Sequence, residues 1–215
     1  MVLMFSGGLS RPALNALDRP GADTAIAAAL RCANTACFIA LTGRLAMTRH
    51  ATTDLCDDHR ADTGGAFRVL PPAFVDYGGT ASFAGLVSTV RCFEDNALVR
   101  AALESQGQGR VLVVDGGGSK RCALVGGNLA ALAVKNGWAG LLVDGCVRDA
   151  AELTPCAIGI RALALCPMPP AKQGAGQRDV PVQVQGVSVR PGDWLCADAD
   201  GIVLLEQPPA GRMEA

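Results

Sequence analysis

A helix, a strand and a charged pair follow one another with almost no spare residues in Gly126–Glu152, GGNLAALAVKNGWAGLLVDGCVRDAAE. Leu129–Val134 is apolar with good helical propensity, and Asn136-Gly137 supplies a C-terminal stop. Ala139–Val143 is a continuous apolar run, which predicts a strand covered on both faces. Asp144-Gly145 then predicts a turn, and Arg148-Asp149 follows with Glu152 three residues on. A doubly covered strand beside a helix points to an α/β architecture. Such units place their chemistry at the carboxyl ends of strands and at helix N-termini. Both kinds of position are polar here, and everything between them is apolar.

The rest of the chain is compatible with that core. Its 215 residues are half hydrophobic and only 18% charged, enough for one well-packed domain. A net charge of −1 gives no electrostatic reason to expect nucleic acid or an anionic membrane, and aromatics at 4% argue against a base-stacking surface. Ala36–Leu41 is too short to span a bilayer, and Met1–Ser6 lacks the basic flank of a signal peptide. A cytoplasmic protein is expected. Met1–Ala46 reads as a weakly structured extension or as sequence upstream of a true start at Met47. A domain can be read over Met47–Gln207, and Pro208–Ala215 reads as a tail.

The nine cysteines are an odd number with no CxxC, as expected of small buried hydrophobes in a reducing compartment. His50 and His59 are the only histidines and show no zinc spacing. Cys146 has no histidine near it in sequence to make it a nucleophile. Asp57, Asp58 and His59 are consecutive on a capped helix over Thr52–Asp62, so they point apart and read as a solvated face.

Further elements can be read along the chain. Phe83–Cys92 and Arg110–Val114 read as strands with an amphipathic helix, Asn96–Ser105, between them. Asp115-Gly-Gly-Gly-Ser119 lacks phosphate-loop spacing and reads as a tight strand-to-helix turn. Gly159–Cys166 is another strand, and the polar Ala171–Asp179 reads as a mobile loop over a site. Val180–Val189 forms a hairpin turning at Gly186, and Trp194–Cys196 pairs with Ile202–Leu205 around Asp198–Gly201.

Arg148-Asp149 supports two readings. Asp149-Ala-Ala-Glu152 fits a capping box, worth about 1 kcal/mol. Capping does not explain an arginine directly before the cap. An arginine beside a carboxylate can set a cation and a metal against one substrate, while the N–H groups of Gly126–Leu129 at a helix start hold a carboxylate.

These segments together resemble the RraA-like family, which includes the regulator of ribonuclease E activity A and the class II 4-hydroxy-4-methyl-2-oxoglutarate aldolases. The resemblance runs from Thr52 to Glu206. It is carried by Asp54-Leu-Cys56, Cys92-Phe-Glu-Asp-Asn96, Val111–Ser119, Asn136-Gly-Trp-Ala-Gly140, Gly145-Cys-Val-Arg-Asp149, Asp179-Val-Pro-Val182 and Ala197-Asp-Ala-Asp-Gly201. A glycine, twenty residues, then Arg-Asp-x-x-Glu/Asp is the family's aldolase signature, here Gly127 through Arg148, Asp149 and Glu152.

The resemblance implies a β/β/α swivelling-domain fold and a homotrimer, or a dimer of trimers, with sites between subunits. It implies that the backbone of Gly126, Gly127, Asn128 and Leu129 holds a pyruvyl carboxylate and that Arg148 contacts the substrate oxygens. Asp149 would position Mg²⁺ or Mn²⁺, with Glu152 behind it. The implied activity is metal-dependent cleavage of 4-hydroxy-4-methyl-2-oxoglutarate through a pyruvate enolate, with oxaloacetate decarboxylation as a companion. A Schiff-base mechanism is disfavoured, since Lys120, Lys135 and Lys172 lie in no apolar strand.

The family's other activity is non-catalytic binding and inhibition of ribonuclease E. Regulator-type members resemble this chain around Phe93-Glu-Asp-Asn96 but tend to lose the Asp that stands here as Asp149, which favours the enzyme. Two departures bear on the chemistry. Many of the family's aldolases carry Asp where Gly127 stands, and the chain ends soon after Glu206 without the longer C-terminal helix of some relatives.

Overall fold

Val111–Asp115 (β4) alternates its side chains between two different cores, and that alternation sets the layers of the molecule. Leu112 and Val114 face one buried cluster, while Val111 and Val113 face the other. The computed structural model describes residues 50–209, within the unit Thr48–Ala215. The expected extension Met1–Ala46 and most of the tail Pro208–Ala215 lie outside the described residues.

The parallel centre of the sheet is β3 (Phe83–Arg91), β4, β6 (Gly140–Val147) and β7 (Gly159–Leu165). Antiparallel strands extend it on one side: β11 (Trp194–Ala197), β12 (Ile202–Leu205) and β1 (Phe67–Val69). The short β2 (Val75–Asp76) closes the other edge against β7, and the two-residue β8 (Gln177–Arg178) pairs antiparallel with the end of β3. Helices α2 (Ala97–Leu103), α3 (Gly127–Lys135) and α4 (Ala150–Leu153) cover one face through Val99, Leu103, Ala130, Ala133 and Leu153. The hairpin β9 (Val182–Val184) and β10 (Val187–Val189) covers the other through Val182, Val184 and Val189. Hairpin, sheet and helices give the expected β/β/α layering.

The central strands are buried on both faces, which is why they read as unbroken apolar runs. The hairpin turns where expected, through Gln185 and Gly186 at φ 48° and 82°. The opening helix α1 (Thr52–Asp58) is shorter than the expected Thr52–Asp62. It is held from the far end of the chain: Asp198 accepts from the Thr52 N–H at 2.8 Å and from the Thr52 hydroxyl at 2.6 Å.

Two turn expectations are corrected. Asp144-Gly145 does not turn the chain but lies inside β6, where the register against β7 shifts between Val143 and Cys146. The buried Asp144 carboxyl is pushed up by burial, while the Gln185 side-chain N–H donates to it at 2.7 Å. The triple glycine leads not into a helix but into β5 (Ala123–Val125). Gly117 and Gly118 adopt φ near 65° and 67°, and a side chain on Gly116 would meet the Asp144 carbonyl at 2.6 Å.

Candidate functional site

β5 lies parallel to the last residues of β6, pairing Ala123 with Cys146 and Val125 with Val147. Both strands therefore end together. The residues that leave β5, Gly126 and the start of α3, meet those that leave β6, Arg148 and Asp149. The Arg148 N–H donates to the Val125 carbonyl at 3.0 Å, which fixes the junction. The twenty-residue spacing is the length of one helix and one return strand.

Asp149 does not cap its own helix. It sits in the left-handed region at φ 62°, a conformation that short polar side chains tolerate, and makes no side-chain bond to α4. The expected capping box is therefore absent. Its Oδ2 instead accepts from the Gly127 N–H at 3.1 Å, across the junction at the start of α3. Arg148 Nε lies 3.5 Å from the same oxygen, with the two side chains 39% and 38% exposed. A pair this exposed contributes little to stability. Its interest lies in its position.

The helix start offers less free backbone than the sequence suggests. Gly127 N–H is taken by Asp149, and the Leu129 N–H turns back to the Gly126 carbonyl at 3.0 Å. The Asn128 N–H meets no acceptor among the described residues. Close backbone approach explains the two glycines. A Cβ on Gly126 would lie 2.5 Å from Asp149 Oδ2, and one on Gly127 would overlap the Glu152 carboxylate. Glu152 thus fills the space that a side chain at 127 would use.

A cavity of about 100 Å³ opens over this junction. It brings together Gly126, Asn128, Leu129, Arg148 and Asp149, all expected, whereas Gly127 and Glu152 are not among its lining residues. Asn96, Arg100, Pro169, Pro170 and Lys172 complete much of the wall and were not signalled as substrate contacts by any motif. Asn96 is fixed by its side-chain N–H, which donates to the Leu124 carbonyl at 3.1 Å. Three cationic side chains against one carboxylate make the cavity suited to an anion.

The loop expected to be mobile over the site borders the cavity at Lys172, but it is tied down. Buried Asp95 accepts from the N–H groups of Gln173, Gly174 and Ala175 at 2.6, 3.0 and 3.4 Å, and from Ala97 N–H at 2.8 Å. Burial alone would raise the Asp95 pKa, but these donors outweigh it and hold the carboxyl below its usual range.

Asp149 has the donor chemistry for a hard divalent cation, being an accessible carboxylate on the cavity wall. Mg²⁺ and Mn²⁺ favour oxygen ligands, and Mg²⁺ is commonly held by one or two carboxylates plus water and substrate. Among the described residues no group of three or more His, Cys, Asp and Glu side chains forms a cage. No helix among them is long and apolar enough to cross a membrane.

Comparisons with known proteins identify the family and the fold. Residues 52–204 match the family model described as RraA-like, Aldolase/RraA. A protein of Albidiferax ferrireducens named "Putative 4-hydroxy-4-methyl-2-oxoglutarate aldolase" is 59% identical over 171 residues, covering 76% of this chain and 96% of its own. One of the same name from Burkholderia multivorans is 62% identical, covering 72% and 94%. The structure titled RNA-processing inhibitor RraA from Thermus thermophilis is 51% identical with a TM-score of 0.72, covering 78% of this chain and 99% of that one.

Proposed function

Given that this chain belongs to the RraA-like family, we propose that it is a divalent-metal-dependent lyase that cleaves 4-hydroxy-4-methyl-2-oxoglutarate to pyruvate. The observation that carries the reading is the convergence of Arg148, Asp149 and the α3 start on one cationic cavity. The substrate's 2-oxo acid end lies against the Asn128 N–H and Arg148. Its C4 hydroxyl loses a proton to solvent water, the C3–C4 bond breaks, and the electron pair becomes a pyruvate enolate while the other fragment leaves as pyruvate. Protonation at C3 then gives the second pyruvate. Loss of CO₂ from oxaloacetate reaches the same enolate, so decarboxylase activity belongs to the same site.

The negative charge that develops on the 2-oxo oxygen is what the site must stabilise. A fixed guanidinium does this, and removing such a group typically costs about 3–4 kcal/mol in the barrier. Asp149, with water and substrate oxygens, would hold Mg²⁺ or Mn²⁺, which supplies Lewis-acid polarisation of the 2-oxo group when bound. The Asp149 bond to Gly127 N–H keeps that carboxylate turned across the junction. Glu152, occupying the space of a side chain at 127, is the carboxylate that stands in for the Asp found there in many of the family's aldolases. By family resemblance, the assembly is a cytoplasmic homotrimer with sites between subunits.

The test is pyruvate release from 4-hydroxy-4-methyl-2-oxoglutarate and oxaloacetate, with Mg²⁺ and with EDTA. The account expects turnover that EDTA abolishes. Metal-independent turnover would remove the cation from the mechanism. The 51% identity to the RNA-processing inhibitor supports a second reading, binding to ribonuclease E. Absence of turnover with retention of the endonuclease in a pull-down would favour it.

A further inference from the structure

Asp115 and Asp144 stand in register on the neighbouring parallel strands β4 and β6. Val113 and Leu142, two residues earlier on each strand, pack into the core beneath the hairpin. Strand alternation therefore puts both carboxylates on the face that the hairpin covers. The hairpin tip meets them there. Gln183 N–H donates to Asp115 Oδ2 at 3.4 Å, and the Gln185 side-chain N–H donates to Asp144 Oδ1 at 2.7 Å. Gln185 does so from the left-handed region, at φ 48°, where a glutamine is uncommon.

The charges around Asp144 do not balance it. Its carboxyl is 3% exposed, and among the described residues no cation forms an ion pair with it. β4 contributes a second acid, Asp115, and Arg91 on β3 lies 4.0 Å from that acid with its own side chain half exposed. Hairpin residues 182–189 and turn residues 116–119 carry no charge, and β7 passes with alanines at 162–164. Lys120, just beyond the turn, is exposed, and Arg121 is engaged by Glu94. Burial pushes the Asp144 carboxyl up, the Gln185 donor offsets part of that, and Asp115 adds to it.

We propose that Asp115, Asp144 and the hairpin tip form a proton-operated clasp, closed when Asp144 is neutral and loosened when it ionises. The neutral carboxyl still accepts from Gln185 through its carbonyl oxygen and sets no charge against Asp115. Ionised, it is a buried anion beside another carboxylate, and lifting the tip lets water reach it. Opening returns the carboxyl to solvent and to its ordinary value of about 4. Closure is therefore fully favoured below that value and weakens as pH rises through the higher closed-state value. The clasp operates whatever reaction the cavity performs.

The test is amide hydrogen exchange of the full chain from pH 4 to pH 8, with each rate corrected for the intrinsic pH dependence of exchange. Wild-type protection across residues 183–187 should fall by at least about threefold over that span and then level off. The tip should also exchange well ahead of β4 residues 111–114, as a local opening does. Asp144→Asn, an uncharged isostere of the neutral carboxyl, should hold the tip's protection high and flat, above wild type at pH 7. Asp115→Asn should keep a smaller fall, since the burial of Asp144 remains. Tip protection that is flat with pH in the wild-type chain would overturn the clasp. So would a fall that survives in Asp144→Asn, or a tip that exchanges only in step with β4.

Discussion

Gly127 and Glu152 compete for one volume, and substituting them in series should reveal it. A Cβ on Gly127 would lie 2.7 Å from the Glu152 Cβ and would overlap the carboxylate. Ordinary carbon contacts are about 3.5–4.0 Å, so roughly 1 Å must be found. Rotating the glutamate moves its carboxylate but not its Cβ, so part of the clash stays. Overpacking of this kind costs about 1–3 kcal/mol, against a gain of up to about 1 kcal/mol when alanine replaces glycine in a helix. Gly127→Ala should therefore destabilise the wild-type chain by about 1–2 kcal/mol in urea denaturation. In Glu152→Ala the loss should shrink, since the carboxylate has gone and the Cβ remains. In Glu152→Gly, Gly127→Ala should become neutral or stabilising, a coupling of about 2 kcal/mol. The same cost in all three backgrounds, within about 0.5 kcal/mol, would refute the shared-volume account.

The Asp95 carboxylate should matter in a pH-dependent way. Asp95→Asn replaces an ionised acceptor of four N–H groups and should cost about 2–3 kcal/mol at pH 7, measured by denaturation. Because the folded pKa is depressed, the stabilisation is complete above the unfolded value of about 4 and lost as pH falls through the folded value. The deficit of the variant should therefore be flat at neutral pH and shrink below about pH 4. Burial pushes the Cys92 and Cys196 thiols up to about 12. Peptide-resolved alkylation at pH 8 should leave both unmodified in the folded chain and label them only in denaturant.

Most of the architecture is legible in the sequence because its signals are local. Apolar runs marked the doubly covered strands, and Gly186 and Asn136-Gly137 marked a turn and a stop. Where local chemistry had a tertiary competitor, it misled. Asp144-Gly145 has turn composition, but pairing to β4 and β7 carries it through as strand. Asp149-Ala-Ala-Glu152 has the composition of a capping box, but the left-handed backbone at Asp149 sends its carboxylate to a different helix. The cap on α1 comes from Asp198, 146 residues away, and no window of sequence contains both. The same holds for the cavity. Arg148 and Asp149 are adjacent and carry a motif, whereas Arg100 and Lys172 meet them only through the fold.

The measurement that bears most directly on the central claim is deuterium uptake into the pyruvate methyl group in D₂O, followed by proton NMR. It isolates the enolate from everything that happens to the leaving fragment. The account predicts exchange that requires Mg²⁺ or Mn²⁺ and that falls by at least about 100-fold in Arg148→Ala. It predicts the same loss in Asp149→Ala, which adding more cation does not repair at ordinary concentrations. Exchange that persists in Arg148→Ala and Asp149→Ala, or that is indifferent to EDTA, would contradict it and place the chemistry elsewhere on the chain.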